Sequence, residues 1–181
     1  LEEIRNIFLD PEIGCVSGED HISGGGGEGL YGQYELFLRN RESRVCSVVG
    51  ASGCFYAQRR SLCLPFMEGM APDFLSVLVS VEKGFLAVTQ PSAIGYMKSV
   101  SESSDEYSRK LRTFIRGMTT LMNFNKLLNP VKYGFFSIEL ISHKLFRWFS
   151  GLFLIALLAS NIFLLNSWPY AIFFILQFIF Y

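Results

Sequence analysis

The stretch that decides the fold is residues 48–85, which contains Val48-Val49-Gly50-Ala51-Ser52-Gly53-Cys54-Phe55-Tyr56-Ala57-Gln58-Arg59-Arg60, then Ala71-Pro72-Asp73-Phe74-Leu75, then Glu82-Lys83-Gly84-Phe85. Small-residue turns stand beside a strand-like run, and Gly50 and Gly53 allow a backbone to approach a ligand closely. Asp73 follows Pro72 at a position where a helix N-terminus favours a carboxylate. On these residues alone, the pattern favours an ordinary turn and a helix cap over a binding loop and a catalytic base, because caps are far commoner than catalytic bases.

Around this stretch, strand-like and helix-like segments alternate along the chain. Residues 13–22 predict a strand, a flexible linker at 23–29 follows, and residues 30–39 predict a helix. Residues 45–58 predict a strand interrupted by the Gly50–Gly53 turn, and residues 74–82 predict a buried helix that ends at Gly84. Two short strands at 85–89 and 94–97 flank Pro91. This alternation predicts an α/β domain.

Residues 105 to 128 form the clearest predicted helix of a soluble domain. At about 100° per residue, Arg109, Arg112 and Arg116 fall within one arc of about 60°. The opposite side carries Phe114, Met118, Leu121 and Met122. Asp105 can pair with Arg109 at the i,i+4 spacing. The arginine stripe therefore predicts either a solvated basic face or a docking face for a diphosphate, which guanidinium groups bind well.

Charge and hydropathy divide the chain sharply. Half of the residues are hydrophobic, and every charged residue lies at or before Arg147. The net charge is zero, so the composition does not indicate a nucleic-acid partner. The four cysteines form no C-x-x-C pair, and the two histidines lie far apart. We therefore expect reduced cysteines and name no metal ligand.

The C-terminal part of the chain reads as a membrane segment. Residues 129–144 predict an interfacial amphipathic helix, and residues 145–166 are long enough to cross a bilayer. Residues 169–181 predict the start of a second span; a buried core helix is the alternative for the first. Basic residues precede the first span, which places the preceding domain, residues 1–128, in the cytoplasm. The chain begins without a methionine and stops inside an apolar run, so we expect a fragment of a longer protein.

The order of several short motifs resembles the C-terminal part of membrane-bound family 2 glycosyltransferases, the group of polysaccharide synthases for cellulose, hyaluronan, chitin and poly-N-acetylglucosamine. Their shared order covers nearly the whole chain, although each piece alone is unspecific. The matching pieces are Asp10-Pro11-Glu12-Ile13-Gly14, Val16-Ser17-Gly18, Glu28-Gly29-Leu30-Tyr31, Tyr34-Glu35, Ser47 to Gly53, Tyr56-Ala57-Gln58-Arg59-Arg60, Asp73-Phe74, Gly84, Pro91-Ser92-Ala93, Arg109 to Thr113, Leu128-Asn129-Pro130 and Ser142-His143-Lys144.

The resemblance implies roles for particular residues. Asp73 matches the aspartate that removes a proton from the acceptor hydroxyl as it attacks the sugar. The Gly50, Ala51, Ser52 and Gly53 loop resembles the loop that holds the end of the acceptor. Arg109, Arg112 and Thr113, with Arg116 one turn later, lie where the family has its Q-x-x-R-W motif beside the donor diphosphate and the acceptor channel. Arg112 would balance the charge of the departing diphosphate.

The resemblance also implies the setting of the reaction. We expect the C-terminal part of a GT-A-type domain followed by an interfacial helix and transmembrane helices, in a multi-pass protein of the plasma (inner) membrane. The implied partners are a nucleotide-sugar donor, a carbohydrate or glycolipid acceptor and the lipid bilayer. A divalent cation, Mg²⁺ or Mn²⁺, is implied for the full-length enzyme, with its ligands upstream of Leu1. This fragment alone is expected to be inactive.

The sequence departs from the family pattern at several positions. Pro72 stands where a second acidic residue is usual, Arg109 and Thr113 replace a glutamine and a tryptophan, and Gly32 replaces a common aromatic residue. We therefore keep three hypotheses: an inverting transferase that elongates a polysaccharide, a non-processive transferase that acts on a lipid acceptor, and a catalytically inactive membrane scaffold.

Overall fold

The computed structural model describes the backbone of residues 2–23, 27–65, 67–98 and 103–180. It describes the side chains of residues 2–21, 30, 32–65, 67–96 and 107–180. The chain separates into two compact units, residues 1–140 and 141–181. The first unit is mixed α/β, as the alternation in the sequence predicts, and the second is helical.

The sheet of the first unit has three strands, in the order β2-β1-β3. These are β1 (Ile13–Ser23), β2 (Tyr56–Gln58) and β3 (Leu86–Lys98). The central strand β1 pairs antiparallel with β2 and parallel with β3, with Val16 opposite both Ala57 and Val88. The helix α1 (Glu2–Ile7) contributes Ile4 to an apolar cluster with Val16 and Ala93.

Two strand predictions need correction. The predicted strand within residues 45–58 is confined to β2, because the preceding backbone bonds elsewhere: Val48 N–H donates to Ala87 O at 2.8 Å and Val49 N–H to a Glu42 carboxylate oxygen at 3.1 Å. The two short strands predicted around Pro91 are one continuous strand, β3. Proline is tolerated there because β3 is an edge strand, whose outward positions need no ladder partner.

The helix α3 (Pro72–Glu82) is the buried helix that the sequence predicts. Its residues from Phe74 to Ser80 are all buried, and Val77 and Leu78 have no exposed surface. Gly84 follows at a φ of +83°, a left-handed conformation that glycine adopts without strain and that often ends a helix. The apolar run and its glycine therefore give both the position and the end of this helix.

The helix α2 (Gly27–Val45) begins earlier than predicted, at Gly27, and residues 24–26 of the predicted linker lie outside the described residues. Its last two turns cover the outer edge of β3. The Ser47 hydroxyl, just beyond the helix, accepts the Ala87 N–H at 3.0 Å, and the Ser43 hydroxyl accepts the Thr89 N–H at 2.9 Å. Side-chain oxygens therefore satisfy backbone donors that another strand would otherwise pair.

The helix α4 (Ser103–Asn123) is present as predicted and is followed by a 3-10 turn (Asn125–Leu128). It packs through its C-terminal half, where Thr120, Leu121 and the following Phe124 are buried. The side opposite the arginines is only partly covered, because Leu121 is buried and Met122 is 67 % exposed. The predicted pairing of Arg109 with Asp105 involves a side chain outside the described residues.

Short helices follow: α5 (Pro130–Tyr133), which ends at Gly134 with a φ of +58°, and α6 (Phe135–Leu140). A π-helical turn (Ile141–Leu145) and α7 (Phe146–Phe163) continue the helical path, and α8 (Trp168–Phe180) closes the described chain.

The stretch Phe135–Phe163 forms one helix of 29 residues with a mean hydropathy of 1.6, and 6 % of its most apolar part is buried. This helix is long and apolar enough to cross a membrane. The predicted boundary between residues 144 and 145 falls within it, and an interfacial position for residues 129–144 stays a prediction. In the second unit, the side-chain amides of Asn161 and Gln177 lie 3.2 Å apart, so α7 and α8 share a polar contact.

Candidate functional site

Asp73 lies in the first turn of α3, directly where that helix enters the core. Ala71 caps the helix in an extended conformation, and Pro72 occupies its first position, where a missing N–H costs nothing. The Asp73 side chain is half-buried, whereas the residues that follow it are fully enclosed. The carboxylate therefore stands on a rigid helix start with one side open to solvent.

A buried threonine joins this helix start to the arginine helix. The Ala71 N–H donates to Thr120 Oγ1 at 3.0 Å, and the Thr120 hydroxyl donates to Arg116 O at 2.7 Å. Thr120 has no exposed surface. Because an α-helix rises 1.5 Å per residue, Arg116 and Arg112 lie about 6 and 12 Å along the axis from this junction. The structure thus brings the start of α3, which carries Asp73, to the C-terminal half of α4.

The predicted diphosphate-binding residues differ in exposure. Arg112, Thr113 and Arg116 are exposed, and Arg109 is half-buried. The Thr113 hydroxyl donates to Arg109 O at 2.9 Å, so it is engaged within its own helix. The two exposed guanidinium groups present a positive surface that an anion can reach, and guanidinium groups suit phosphate oxygens.

The Gly50, Ala51, Ser52 and Gly53 loop connects α2 to β2 and is held from both sides. Ala51 and Ser52 are buried, and Gly53 is exposed. A Cβ added at Gly53 would meet no atom within 4 Å, so the space beside it is open. Further along, the Gln58 side chain donates to Ser76 O at 3.1 Å, which connects β2 to the second turn of α3. The strand that follows the loop is therefore hydrogen-bonded to the helix that carries Asp73.

A polar cluster around Asp20 secures the far end of this loop. The Ser52 hydroxyl donates to Asp20 Oδ1 and accepts the Phe55 N–H at 2.9 Å, while the Ser52 N–H donates to Ser17 Oγ at 2.7 Å. The Cys54 thiol also donates to Asp20 Oδ1, at 2.7 Å. Burial, together with this hydrogen bond, raises the pKa of Cys54 above its usual range. The thiol therefore stays protonated at neutral pH and acts as a donor.

Several of these residues escaped the sequence analysis. None of Asp20, Glu42 and Thr120 was singled out from the sequence. One signal was available: Glu19 and Asp20 place two adjacent carboxylates inside a strand-like run, where charged residues are uncommon.

The four cysteines are free thiols, as expected. Among the residues that the structure describes, no group of three or more His, Cys, Asp or Glu side chains could hold a metal ion. The described residues therefore provide no metal centre of their own, and the divalent cation implied for the full-length enzyme stays a prediction.

The first unit thus combines a small sheet, a carboxylate at a helix start and a basic helix, in a chain that also carries a long apolar helix. In comparisons with known proteins, no family model and no curated protein matches this sequence. A proposal about function therefore rests on the site residues and on the resemblance of their order to the glycosyltransferase motifs.

Proposed function

We propose that this chain is the C-terminal part of a GT-A-type domain from an inverting glycosyltransferase, which moves a sugar from a nucleotide-sugar donor to a growing polysaccharide at a membrane. The observation that supports this most directly is the Thr120 junction, since it holds the helix start of Asp73 against the helix of the arginines. A base and a set of cations on neighbouring elements are what a single displacement at a sugar carbon requires.

In the proposed reaction, an acceptor hydroxyl oxygen attacks the anomeric carbon of the donor sugar. Its proton passes to the Asp73 carboxylate as the new C–O bond forms. The bond to the diphosphate breaks at the opposite side, and the nucleoside diphosphate leaves with the electron pair. Arg112 and Arg116 offset the charge that develops on it, while the Gly50–Gly53 loop holds the acceptor. A single displacement of this kind inverts the configuration at the sugar carbon.

A divalent cation, when bound to the full-length enzyme, would shield the diphosphate charges of the donor. The residues described here have the other tasks, which are to position the acceptor, take its proton and stabilise the leaving group. We place the domain on the cytoplasmic side of the plasma (inner) membrane because Lys126, Lys132, Lys144 and Arg147 precede the apolar α7.

The test is the Asp73→Asn variant of the full-length protein in membrane vesicles, supplied with radiolabelled UDP-N-acetylglucosamine or UDP-glucose. Loss of a general base typically costs about 10²- to 10⁴-fold, so we expect transfer to fall by at least about 100-fold. Glu68→Gln is the matched control, since Glu68 is an exposed carboxylate on the segment that precedes α3. Transfer by Asp73→Asn at the rate of this control would refute the proposed role of Asp73.

The length of the product separates the hypotheses that the sequence left open. Long labelled chains support polysaccharide synthesis, and a single sugar on an extracted lipid supports a non-processive transferase. Nucleoside diphosphate binding without transfer by the wild-type protein, over a panel of donors, would instead support the inactive scaffold.

A further inference from the structure

The helix α2 turns a polar face inward, in contrast to the usual amphipathic helix. At about 100° per residue, its inward-facing polar residues share one arc of about 160°. They are Arg39, Asn40, Glu42, Ser43 and Cys46, with Ser47 directly after the helix. The opposite side carries large apolar side chains that are more than half exposed, namely Leu30, Tyr34, Phe37 and Val45. The inward face of α2 is therefore built for specific polar contacts rather than for apolar packing.

The contacts of this face reach both the sheet and α6 of the first unit. Asn40 donates to Glu19 at 2.8 Å, and an Arg39 guanidinium nitrogen lies 3.9 Å from Asp20, both in the C-terminal half of β1. The Cys46 thiol donates to Glu139 of α6 at 2.9 Å. The last turns of α2 are thus fixed to the sheet and to α6, and they form a rigid support.

Glu42 lies on this fixed part of α2 and binds the backbone just before the loop. Its side chain is 8 % exposed, and its carboxylate accepts the Val49 N–H at 3.1 Å, one residue before Gly50. Ser17 and Asp20 hold the other end of the loop at Ser52. Enclosing a carboxylate costs free energy that an apolar residue would not, unless hydrogen bonds compensate. The hydrogen bond from the Val49 N–H offsets part of this cost and fixes the position of that backbone group.

We infer that Glu42 is a positioning residue, which fixes the Val49 N–H and thereby sets the conformation of the Gly50–Gly53 loop for the acceptor. The acceptor part of this inference rests on the proposed function, whereas the loop part depends on the described contacts alone. Glu42 acts through the backbone of the loop and makes no chemical step itself. Removing it should weaken acceptor binding and leave donor binding unchanged.

The first experiment measures amide hydrogen exchange of the full-length protein in detergent, over peptides that cover residues 48–55. In Glu42→Leu, which keeps the volume but loses the acceptor oxygen, we expect these amides to exchange about tenfold faster. Glu42→Gln retains an oxygen that accepts the same N–H, so its exchange should stay near that of the wild type. Arg41→Ala, a neighbour whose side chain is exposed, is the matched control.

If the amides of residues 48–55 exchange in Glu42→Leu as slowly as in the wild type, the inference is overturned. Glu42→Ala serves as a second variant if Glu42→Leu does not fold. Global unfolding of both would also overturn a local positioning role, since it would show that Glu42 supports the whole unit.

The second experiment measures transfer kinetics in membrane vesicles, with the UDP-sugar that the wild type uses and a short β-linked oligosaccharide as acceptor. We expect Glu42→Leu to raise the KM for the oligosaccharide about tenfold and to leave the KM for the donor within about twofold. Equal changes in both constants would contradict the acceptor role. If the wild type transfers no sugar, the proposed function fails, and hydrogen exchange alone decides whether Glu42 holds the loop.

Discussion

The junction between α3 and α4 gives a quantitative prediction for Thr120→Val. Valine has nearly the shape of threonine, so the substitution leaves no cavity and removes only the hydroxyl. The Ala71 N–H then loses the oxygen 3.0 Å away that accepts its hydrogen bond. Leaving a partly buried donor such as this one unsatisfied costs about 1–3 kcal/mol. For a domain of this size, each kcal/mol shifts the Tm by about 2–4 °C, so we expect a decrease of about 2–12 °C.

A thermal melt of the intact protein in detergent, followed by circular dichroism, measures this change. Thr119→Val is the matched control because Thr119 is the adjacent, half-buried threonine. We expect the control to melt within about 1 °C of the wild type. Equal melting of Thr119→Val and Thr120→Val would refute the reasoning that the Thr120 hydroxyl joins the two helices. If the proposed function holds, Thr120→Val should also slow sugar transfer at temperatures where the protein stays folded.

Three further predictions concern close packing, the loop and the thiols. Gly18→Ala should destabilise the protein by about 1–3 kcal/mol in a chemical denaturation, because its Cβ would clash with the backbone oxygen of Ala93. Gly53→Ala should leave the melting temperature unchanged, since its Cβ meets no protein atom, and any rise in the KM for the acceptor would then report a ligand beside it. Burial raises the pKa of Cys15 and Cys46 to about 12, and the pKa of the exposed Cys54 is raised by burial and by its hydrogen bond to Asp20, so maleimide should label the exposed Cys63 first at pH 8. In the unfolded chain the Cys15 and Cys46 thiols ionise near the usual pKa of 9.0, whereas in the folded protein they stay protonated until about pH 12. The folded protein should therefore keep its full stability below pH 9, and its melting temperature should fall as the pH rises from 9 toward 12.

The sequence predicts elements whose pattern is local. The apolar run of α3 and its terminal Gly84 specify a buried helix without help from distant residues, and the structure has that helix. The continuity of β3 through Pro91 could not be predicted, because it depends on β3 being an edge strand, which is a property of the whole sheet. Tertiary pairing decides such cases, and a single sequence carries little information about it.

The candidate site shows the same division. Asp73 and the arginine stripe can be found from residue type and spacing, whereas the contacts that hold them depend on residues far apart in sequence. Thr120 meets Ala71 across 49 residues, and Glu42 meets the loop only because α2 turns its polar face inward. Polar faces of helices usually point to water, so the spacing of these residues alone does not predict that this face of α2 lies inward. The chemical roles of Asp73 and the arginines stay predictions.

The serine hydroxyls beside β3 have a consequence for association between molecules. An open strand edge invites pairing with another chain, and proteins block such edges with covering elements. The outward N–H groups of Thr89 and Ala87 already donate to the hydroxyls of Ser43 and Ser47. A strand from another molecule can therefore pair with them only after the last turns of α2 separate from β3. The helix α2, which also binds the loop through Glu42, therefore blocks strand pairing between molecules at this part of the sheet.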